Sequence, residues 1–302
     1  MTAGPLLDLG SFDGPILVFG GPYGNLEATQ AVLAEAGRLG IPASHMLCTG
    51  DVCAYCADPQ GVVDLLRETG IVTVMGNCEE SLAEDGADCG CGFASGSACD
   101  VLARQWFGYA AAHLDAGAKA WMRNLPRQLS FRLAGHSFRV IHGGAERINR
   151  FIFGSASDND IAGELNGLGV DAVIAGHCGL PFSRVVDGRL WHNAGVIGMP
   201  ANDGTPRGWY SVLRQDGVEV AVDHRSFGYD HAAQACKMRE HGLPEAYARA
   251  LETGLWPNLD ILPPAERERT GRAVVAGSLR WRGHGKFVAT RRGRRQVDLR
   301  IT

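Results

Sequence analysis

Long apolar runs and an N-terminal basic region are both missing from this sequence of 302 residues. No apolar stretch reaches the ~20 residues that a membrane-spanning helix needs. The opening MTAGPLLDLGSFDG contains acidic side chains but no lysine or arginine, so it lacks the basic region of a secretory signal. The sequence therefore predicts a cytoplasmic protein that has no membrane partner.

A surplus of positive charge is also missing, because 29 lysine and arginine residues face 33 aspartate and glutamate residues and the net charge is −4. This balance argues against a general nucleic-acid binder, and no specific nucleic acid is expected as a partner. The serine-hydrolase motif Gly-x-Ser-x-Gly does not occur. The glycine-rich turn in VFGGPYG has neither the lysine of a phosphate loop nor the full glycine spacing of a dinucleotide-binding turn.

Short apolar runs alternate with helical patterns in the first half of the chain. Strands are predicted at residues 15–19, 45–49 and 71–75, and helices at 25–39 and 59–68. Strands that alternate with helices indicate a mainly parallel sheet in an α/β protein.

The second half of the chain predicts another sheet. Alternating patterns at residues 128–133 and 137–141 indicate a hairpin, and residues 183–191 and 210–222 each turn at an Asp-Gly pair. We expect this second sheet to pack on the first. The glycine- and cysteine-rich residues 81–100 are predicted to form a loop.

The sequence pattern predicts an α/β domain at residues 1–227 and a C-terminal segment at residues 228–302. The segment is expected to be helical, packed on the domain or appended to it, and to end in a basic tail. That tail is either a solvated terminus or a contact for phosphate-rich ligands. Its most basic stretch is RRGRR, with Arg291, Arg292, Arg294 and Arg295.

Polar side chains adjoin glycines where four β-rich runs end. The four pairs are Gly50-Asp51, Gly76-Asn77, His142-Gly143 and Gly176-His177. Each polar residue alone has an ordinary structural role, as a turn residue, a helix cap or a core histidine. Together they offer two oxygens and two imidazole nitrogens, a set that suits Mn, Fe or Zn better than Ca or Mg. The sequence therefore predicts a divalent metal site at the carboxyl ends of strands.

Nine cysteines are many for a chain in a reducing compartment. Cys53 and Cys56 follow the first predicted ligand, and a glycine-rich loop holds Cys89, Cys91 and Cys99. These five thiols are a candidate cluster for zinc or an iron–sulfur centre, although the loop lacks a Cys-x-x-Cys pair. Disulfides and free thiols are the alternatives.

The glycine-framed motifs resemble those of the calcineurin-like metallophosphoesterases, especially their small bacterial branch, over roughly residues 15–255. The resemblance implies a sandwich of two mixed sheets flanked by helices, two bound metals, and hydrolysis of phosphomonoesters, phosphodiesters or nucleotides. The stretches that carry it are GGPYGNLEA, CTGDVCAYCADP, VMGNCEE, VIHGG, IAGHCGLPFSRVVDGRLWHNAGVIGMP and LPEAYARALETG.

The same resemblance shows where this chain departs from the family pattern. Gly21, Tyr23 and Gly179 occupy positions where the family has an aspartate and two histidines that bind the first metal. The bridging Asp51 remains, and the second metal's set is complete with Asn77, His142 and His177. The departure implies one divalent metal (Mn, Fe or Zn) per chain.

A second departure concerns the catalytic position, where Cys78 replaces the histidine of the family. A thiol with a lowered pKa can act as an acid, a nucleophile or a ligand for a soft metal, and the alternative is a small apolar filler. Tyr23 either presents its hydroxyl to the substrate or fills the space of the lost site. Asn25 and Arg184 are predicted to contact the phosphate or the rest of the substrate.

The resulting hypothesis is a metal-dependent phosphoesterase with an altered site that acts on a small phosphorylated substrate. The alternative is a protein of the same fold that does not hydrolyse its ligand. Such a protein would bind a nucleotide-like molecule or carry a cysteine-bound metal or iron–sulfur centre. The sequence does not indicate the oligomeric state.

Overall fold

Runs of buried apolar residues form the central strands of two sheets, as in ILVF at Ile16–Phe19, where all four residues are buried. The computed structural model describes residues 6–93 and 95–283. The strands within these residues are β1 (Leu6–Ser11), β2 (Ile16–Phe19), β3 (Met46–Cys48), β4 (Val72–Thr73), β5 (Gln128–Leu133), β6 (His136–Val140), β7 (Ala172–Ala175), β8 (Pro181–Val186), β9 (Arg189–Ala194), β10 (Gly208–Asp216), β11 (Glu219–Phe227) and β12 (Gly277–Trp281).

Helices begin at side chains that cap their first turn, as Asn25, Ser97, Asp115, Ser157 and Asp230 do. None of the helices in the described part of the chain is both long and apolar enough to cross a membrane. The helices are α1 (Leu26–Arg38), α2 (Pro59–Thr69), α3 (Asn77–Ala83), α4 (Ala98–His113), α5 (Ala116–Arg123), α6 (Asp158–Leu168), α7 (His231–Glu240), α8 (Glu245–Thr253) and α9 (Pro264–Arg267).

Both sheets are mixed and have six strands. The first has the order β1-β5-β6-β7-β9-β8, and the second has the order β12-β11-β10-β2-β3-β4. In the first sheet β6, β7 and β9 run parallel, and in the second sheet β2, β3 and β4 do. The two sheets pack face to face through an apolar layer that includes Val18, Leu47, Phe131, Phe138 and Leu213. Helices cover their outer faces, so the predicted two-sheet α/β sandwich is confirmed.

Most predicted strands and hairpins lie where the sequence indicates, and the differences are at short or exposed elements. The exposed edge strands β1 and β12 and the helix α6 were not predicted. The predicted loop at residues 81–100 is shorter than expected, because α3 extends to Ala83 and α4 begins at Ala98.

The C-terminal segment packs against the rest of the molecule as far as the structure describes it. Helix α7 contacts α1 and α8, and β12 pairs with β11 at the edge of the second sheet. The basic stretch at residues 291–295 lies outside the described residues.

The sheet topology brings the predicted ligands to one place. Asp51 and Asn77 follow β3 and β4 of the second sheet, while His142 and His177 follow β6 and β7 of the first. Backbone hydrogen bonds tie these strand ends together, including Gly176 N–H to His142 C=O at 2.6 Å. The candidate site therefore lies across the carboxyl ends of both sheets.

Candidate metal centre

The four predicted metal ligands converge in the structure. His142 Nε2 lies 3.1 Å from Asn77 Oδ1, 3.1 Å from His177 Nδ1 and 3.3 Å from Asp51 Oδ2. His177 Nδ1 lies 4.0 Å from Asp51 Oδ2. All four residues are buried, with at most 8% of any residue exposed.

Hydrogen bonds outside the cluster turn the donor atoms toward one another. His142 Nδ1 lies 2.6 Å from the carbonyl oxygen of Thr49, which fixes the tautomer that leaves Nε2 unprotonated and free to bind a metal. The Asn77 amide donates to the carbonyl oxygen of Cys89 at 2.8 Å, so its Oδ1 faces His142. The backbone N–H of Cys78 donates to Asp51 Oδ1, which leaves Oδ2 on the histidine side.

A buried glutamate holds the loop that carries Asp51. Glu79 accepts hydrogen bonds from the backbone N–H groups of Gly76, Asp51 and Val52 at 2.7–2.9 Å and from that of Cys53 at 3.4 Å. Glu79 was not among the residues predicted from the sequence, although it directly follows the Gly-Asn-Cys motif. Its position in the first turn of α3, beside the motif, was the available signal.

The backbone at the site adopts conformations that side chains rarely favour. Asp51 and His177 have φ values of 56° and 61°, in the left-handed region. A Cβ atom on Gly76 would lie 2.5 Å from Asp51 Oδ1, so only glycine fits beside this ligand. Strained backbone that the surrounding fold holds in place is typical of functional sites.

The electrostatics of the cluster favour an ionised Asp51 beside a neutral His177. The pKa of His142 is raised, because burial, which lowers it, is outweighed by the charge on Asp51 together with hydrogen bonds to Asp51 and the Thr49 carbonyl oxygen. Burial alone would raise the pKa of Asp51, but His142 and His177 lower it to about 2. Burial and the neighbouring His142 lower the pKa of His177 to about 3. Burial and the charge on Asp51 raise the pKa of Glu79 to about 7, while its backbone donors act in the opposite direction.

These residues fit a divalent transition metal. Asp51, His142 and His177 each offer one ligand atom, and these atoms lie within 4.8 Å of one another. Ligands with metal bonds of ~2.0–2.2 Å lie a few ångströms apart, as these atoms do. The donor set of nitrogen and oxygen atoms suits Mn, Fe or Zn.

Aromatic rings fill the positions where the sequence lacks ligands for a first metal. A Cβ atom on Gly21 would lie 2.6 Å from the ring of Tyr23 and 2.6 Å from Val196. A Cβ atom on Gly179 would lie 3.2 Å from the ring of Trp256. The rings of Tyr23 and Trp256 therefore lie against Gly21 and Gly179.

Cys78 lies behind the metal ligands and is 1% exposed. Burial, together with the charges on Asp51 and Glu79, raises the pKa of its thiol well above the usual value. The cavity beside Asp51 is lined by Tyr23 but not by Cys78. Catalytic roles for these two residues stay predictions.

The five cysteines of the candidate thiolate cluster are not brought together as a group. Cys89 and Cys91 form a disulfide, and Cys99 donates to Asn258 Oδ1 at 2.9 Å. Cys53 and Cys56 donate instead to backbone carbonyl oxygens. Within residues 6–93 and 95–283, no three cysteines place their sulfur atoms close enough to share a metal ion.

The two predicted phosphate contacts have structural partners. Asn25 is fully buried, caps α1 through Ala28 N–H, and donates to the Gly198 carbonyl oxygen and the Tyr229 hydroxyl. Arg184 donates to the carbonyl oxygens of Gly154 and Ala156 and pairs with Asp158. Neither side chain lines the cavity beside Asp51.

A segment of 62 residues is similar to part of a curated protein. Over 62 residues the chain is 37% identical to an uncharacterized protein of Methanocaldococcus jannaschii, which covers 20% of this chain and 25% of that protein. The chain thus matches about a quarter of the length of this curated relative.

Two solved structures share the fold over most of the chain. A metallophosphoesterase from Sphaerobacter thermophilus superposes with a TM-score of 0.63 and 23% identity, over 81% of this chain and 100% of that one. A hypothetical protein from Pyrococcus horikoshii OT3 gives a TM-score of 0.69 and 14% identity, over 80% and 99%. The model of the calcineurin-like phosphoesterase superfamily domain matches residues 24–235, which is more than half of the sequence. The chain therefore belongs to the calcineurin-like phosphoesterase superfamily.

Proposed function

We propose that this protein is a phosphoesterase that works with one divalent metal ion, Mn, Fe or Zn, and acts on a small phosphorylated substrate. The observation that carries the proposal is the convergence of Asp51, Asn77, His142 and His177 on one point, while aromatic rings fill the neighbouring positions. When bound, such an ion polarises a phosphoryl oxygen and lowers the pKa of coordinated water.

The chain's own residues have separable roles in this proposal. His142, held by the Thr49 carbonyl oxygen, and Asp51, held through the Glu79 loop, provide ligands whose orientation is fixed before metal binding. Tyr23 lines the cavity beside Asp51, and burial and the charge on Asp51 raise the pKa of its hydroxyl well above the usual value. A protonated phenol at this position can donate a hydrogen bond to a substrate oxygen.

The first experiment is a metal analysis of protein purified without oxygen, followed by assays with 4-nitrophenyl phosphate and bis(4-nitrophenyl) phosphate. We expect about one Mn, Fe or Zn per chain in the unaltered protein. His142→Ala should reduce the metal content by at least tenfold and abolish hydrolysis. The matched control is His113→Ala, since His113 lies exposed at the end of α4.

Full metal retention in His142→Ala would show that the ligand set is wrong. Two metals per chain would contradict the single-metal proposal. A second candidate function, ligand binding without hydrolysis, is favoured by the absence of lysine and arginine from the described residues that line the cavity. It would be supported by protein that holds one metal and cleaves neither ester.

A further inference from the structure

An aromatic cavity opens directly beside the metal centre. Its volume is about 80 Å³ as traced by the centre of a water-sized sphere, which is room for several water molecules, and it is open to solvent at its mouth. Asp51 and His177 are among its lining residues. Six aromatic rings contribute to the wall, those of Tyr23, Tyr55, Phe93, Phe151, Tyr247 and Trp256.

The rings of this wall are fixed by contacts with one another. Tyr55 packs edge-on against Tyr23 at 4.8 Å between ring centroids, and it packs against Tyr247 at 4.7 Å with the two rings tilted by 45°. Trp256 donates its indole N–H to the Pro200 carbonyl oxygen at 2.7 Å, which fixes the plane of its ring. A wall that is already ordered binds a ligand without the entropic cost of ordering its side chains.

The cavity has few charges and no cation from a lysine or arginine among its described lining residues. Recognition of several phosphate groups generally relies on such cations, which donate charge-assisted hydrogen bonds. A ligand with one phosphoryl group at the metal centre and an uncharged remainder suits this distribution.

We propose that the cavity binds the organic group of the substrate, and that this group carries a flat, uncharged aromatic ring. The substrate class is then an aromatic phosphomonoester or phosphodiester rather than a polyphosphate. The placement of the phosphoryl group rests on the proposed function above, whereas recognition of the ring rests on the wall of the cavity. Ring-on-ring contacts in offset or edge-on geometry supply the attraction, together with burial of apolar surface.

The test compares phenylphosphonate with methylphosphonate, which have the same charge and carbon–phosphorus bonds that phosphoesterases do not hydrolyse. Binding to the full-length, Mn²⁺-loaded protein is measured by calorimetry. We expect phenylphosphonate to bind at least tenfold more tightly, because the ring buries apolar surface in the cavity. ATP, as a polyanion, should bind more weakly than phenylphosphonate.

Variants of two partly buried tryptophans separate the cavity from the rest of the molecule. Trp256→Ala should reduce the preference for phenylphosphonate to threefold or less without loss of Mn²⁺, and Trp256→Phe should retain most of it. Trp121→Ala is the matched control, since Trp121 is also partly buried but lies in α5, away from the cavity. Its preference should equal that of the unaltered protein.

Equal affinities for the two phosphonates, or tighter binding of ATP, would overturn the inference. Hydrolysis of phosphoesters with equal phosphonate affinities would overturn it while the proposed function stands. Preference for phenylphosphonate in a protein that hydrolyses no ester would support recognition of the ring and contradict the proposed function. The two proposals can therefore fail independently.

Discussion

Glu79 shows how one side chain can organise a metal centre without being a ligand. Its two carboxylate oxygens accept hydrogen bonds from four backbone N–H groups. Three of these groups follow β3 and the fourth follows β4. These bonds satisfy donors that would otherwise be buried without partners. Glu79 therefore holds the left-handed conformation of Asp51 through the backbone.

Replacement of this residue tests its positioning role. In Glu79→Gln, one carboxylate oxygen becomes an NH₂ group that faces backbone donors. We expect a loss of about 2 kcal/mol in the free energy of unfolding and at least a tenfold loss in Mn²⁺ affinity. Chemical denaturation of the metal-free protein and calorimetric titration with Mn²⁺ measure the two effects.

Glu80→Gln is the matched control, because Glu80 is adjacent, 40% exposed at its side chain and paired with Arg127. It should change neither quantity by more than the usual effect of a surface substitution. Unchanged Mn²⁺ affinity in Glu79→Gln would contradict the positioning role, and an equal loss in Glu80→Gln would point to a general effect of charge.

The convergence of the four candidate ligands could be predicted because each lies beside a glycine where a strand ends, and such junctions meet at one edge of a sheet. The role of Glu79 could not, because its partners are backbone groups that the sequence does not distinguish. The cavity wall was also beyond prediction. Tyr55, Tyr247 and Trp256 are separated by up to about 200 residues and meet only through tertiary packing.

Among the elements, β12 joins the C-terminal segment to the core. The strand is exposed along most of its length, but Trp281 at its end is 3% exposed. Its ring packs edge-on against Phe138 of the first sheet at 5.8 Å. Its indole N–H donates to the Gly188 carbonyl oxygen at 2.9 Å, so one side chain of the second sheet holds a strand and a turn of the first.

Truncation of this side chain should therefore weaken the sandwich without affecting the metal centre. We expect Trp281→Ala to lower the free energy of unfolding by about 3–5 kcal/mol, the usual cost of removing a buried tryptophan. Mn²⁺ affinity should be unchanged. Urea denaturation and calorimetric titration measure these quantities, and Val275→Ala, at a position 84% exposed, is the control. A loss below 1 kcal/mol would show that β12 is dispensable.

Strands and hairpins with a strong apolar pattern or a turn signal could be predicted from the sequence. Strands that form only because they pair with a neighbouring strand could not. The apolar run of β2 and the Asp-Gly turns of the β8–β9 and β10–β11 hairpins carry local signals that the fold keeps. Edge strands β1 and β12 have exposed side chains and no clear alternation, so only pairing with β5 and β11 makes them strands.

At the scale of the whole molecule, two neighbouring histidines lie between strands of the two sheets, His192 fully buried and His224 partly buried. Ser183 Oγ lies 2.9 Å from both His192 Nδ1 and His224 Nε2, and it can donate to one and accept from the other while both rings are neutral. Burial, and then the neighbouring ring of His224, lowers the pKa of His192 well below its usual value. Burial lowers the pKa of His224 to about 4.

These pKa values predict an acid-sensitive fold. In the unfolded chain both histidines titrate near 6.5, so below that pH the unfolded state takes up protons that the folded state does not. The stabilisation is complete above pH 6.5 and is lost as the pH falls toward 4. Between pH 7 and pH 5 we expect the two histidines to account for a decrease of about 3 kcal/mol in the free energy of unfolding.

The double variant His192→Gln/His224→Gln isolates this contribution, since all other titrating groups are kept. Its free energy of unfolding, measured by urea denaturation at several pH values, should decrease less between pH 7 and pH 5 than that of the unaltered protein. Parallel curves for the two proteins would show that these histidines are not responsible.

The division of the metal ligands between the two sheets has a consequence for how the molecule matures. Asp51 and Asn77 follow strands of one sheet, and His142 and His177 follow strands of the other. Neither sheet alone therefore carries the whole set of candidate ligands. Under the proposed function, a newly made chain would bind its ion only after both sheets have docked. Metal uptake would then distinguish finished molecules from partly folded ones, and the bound ion would tie the two sheets together.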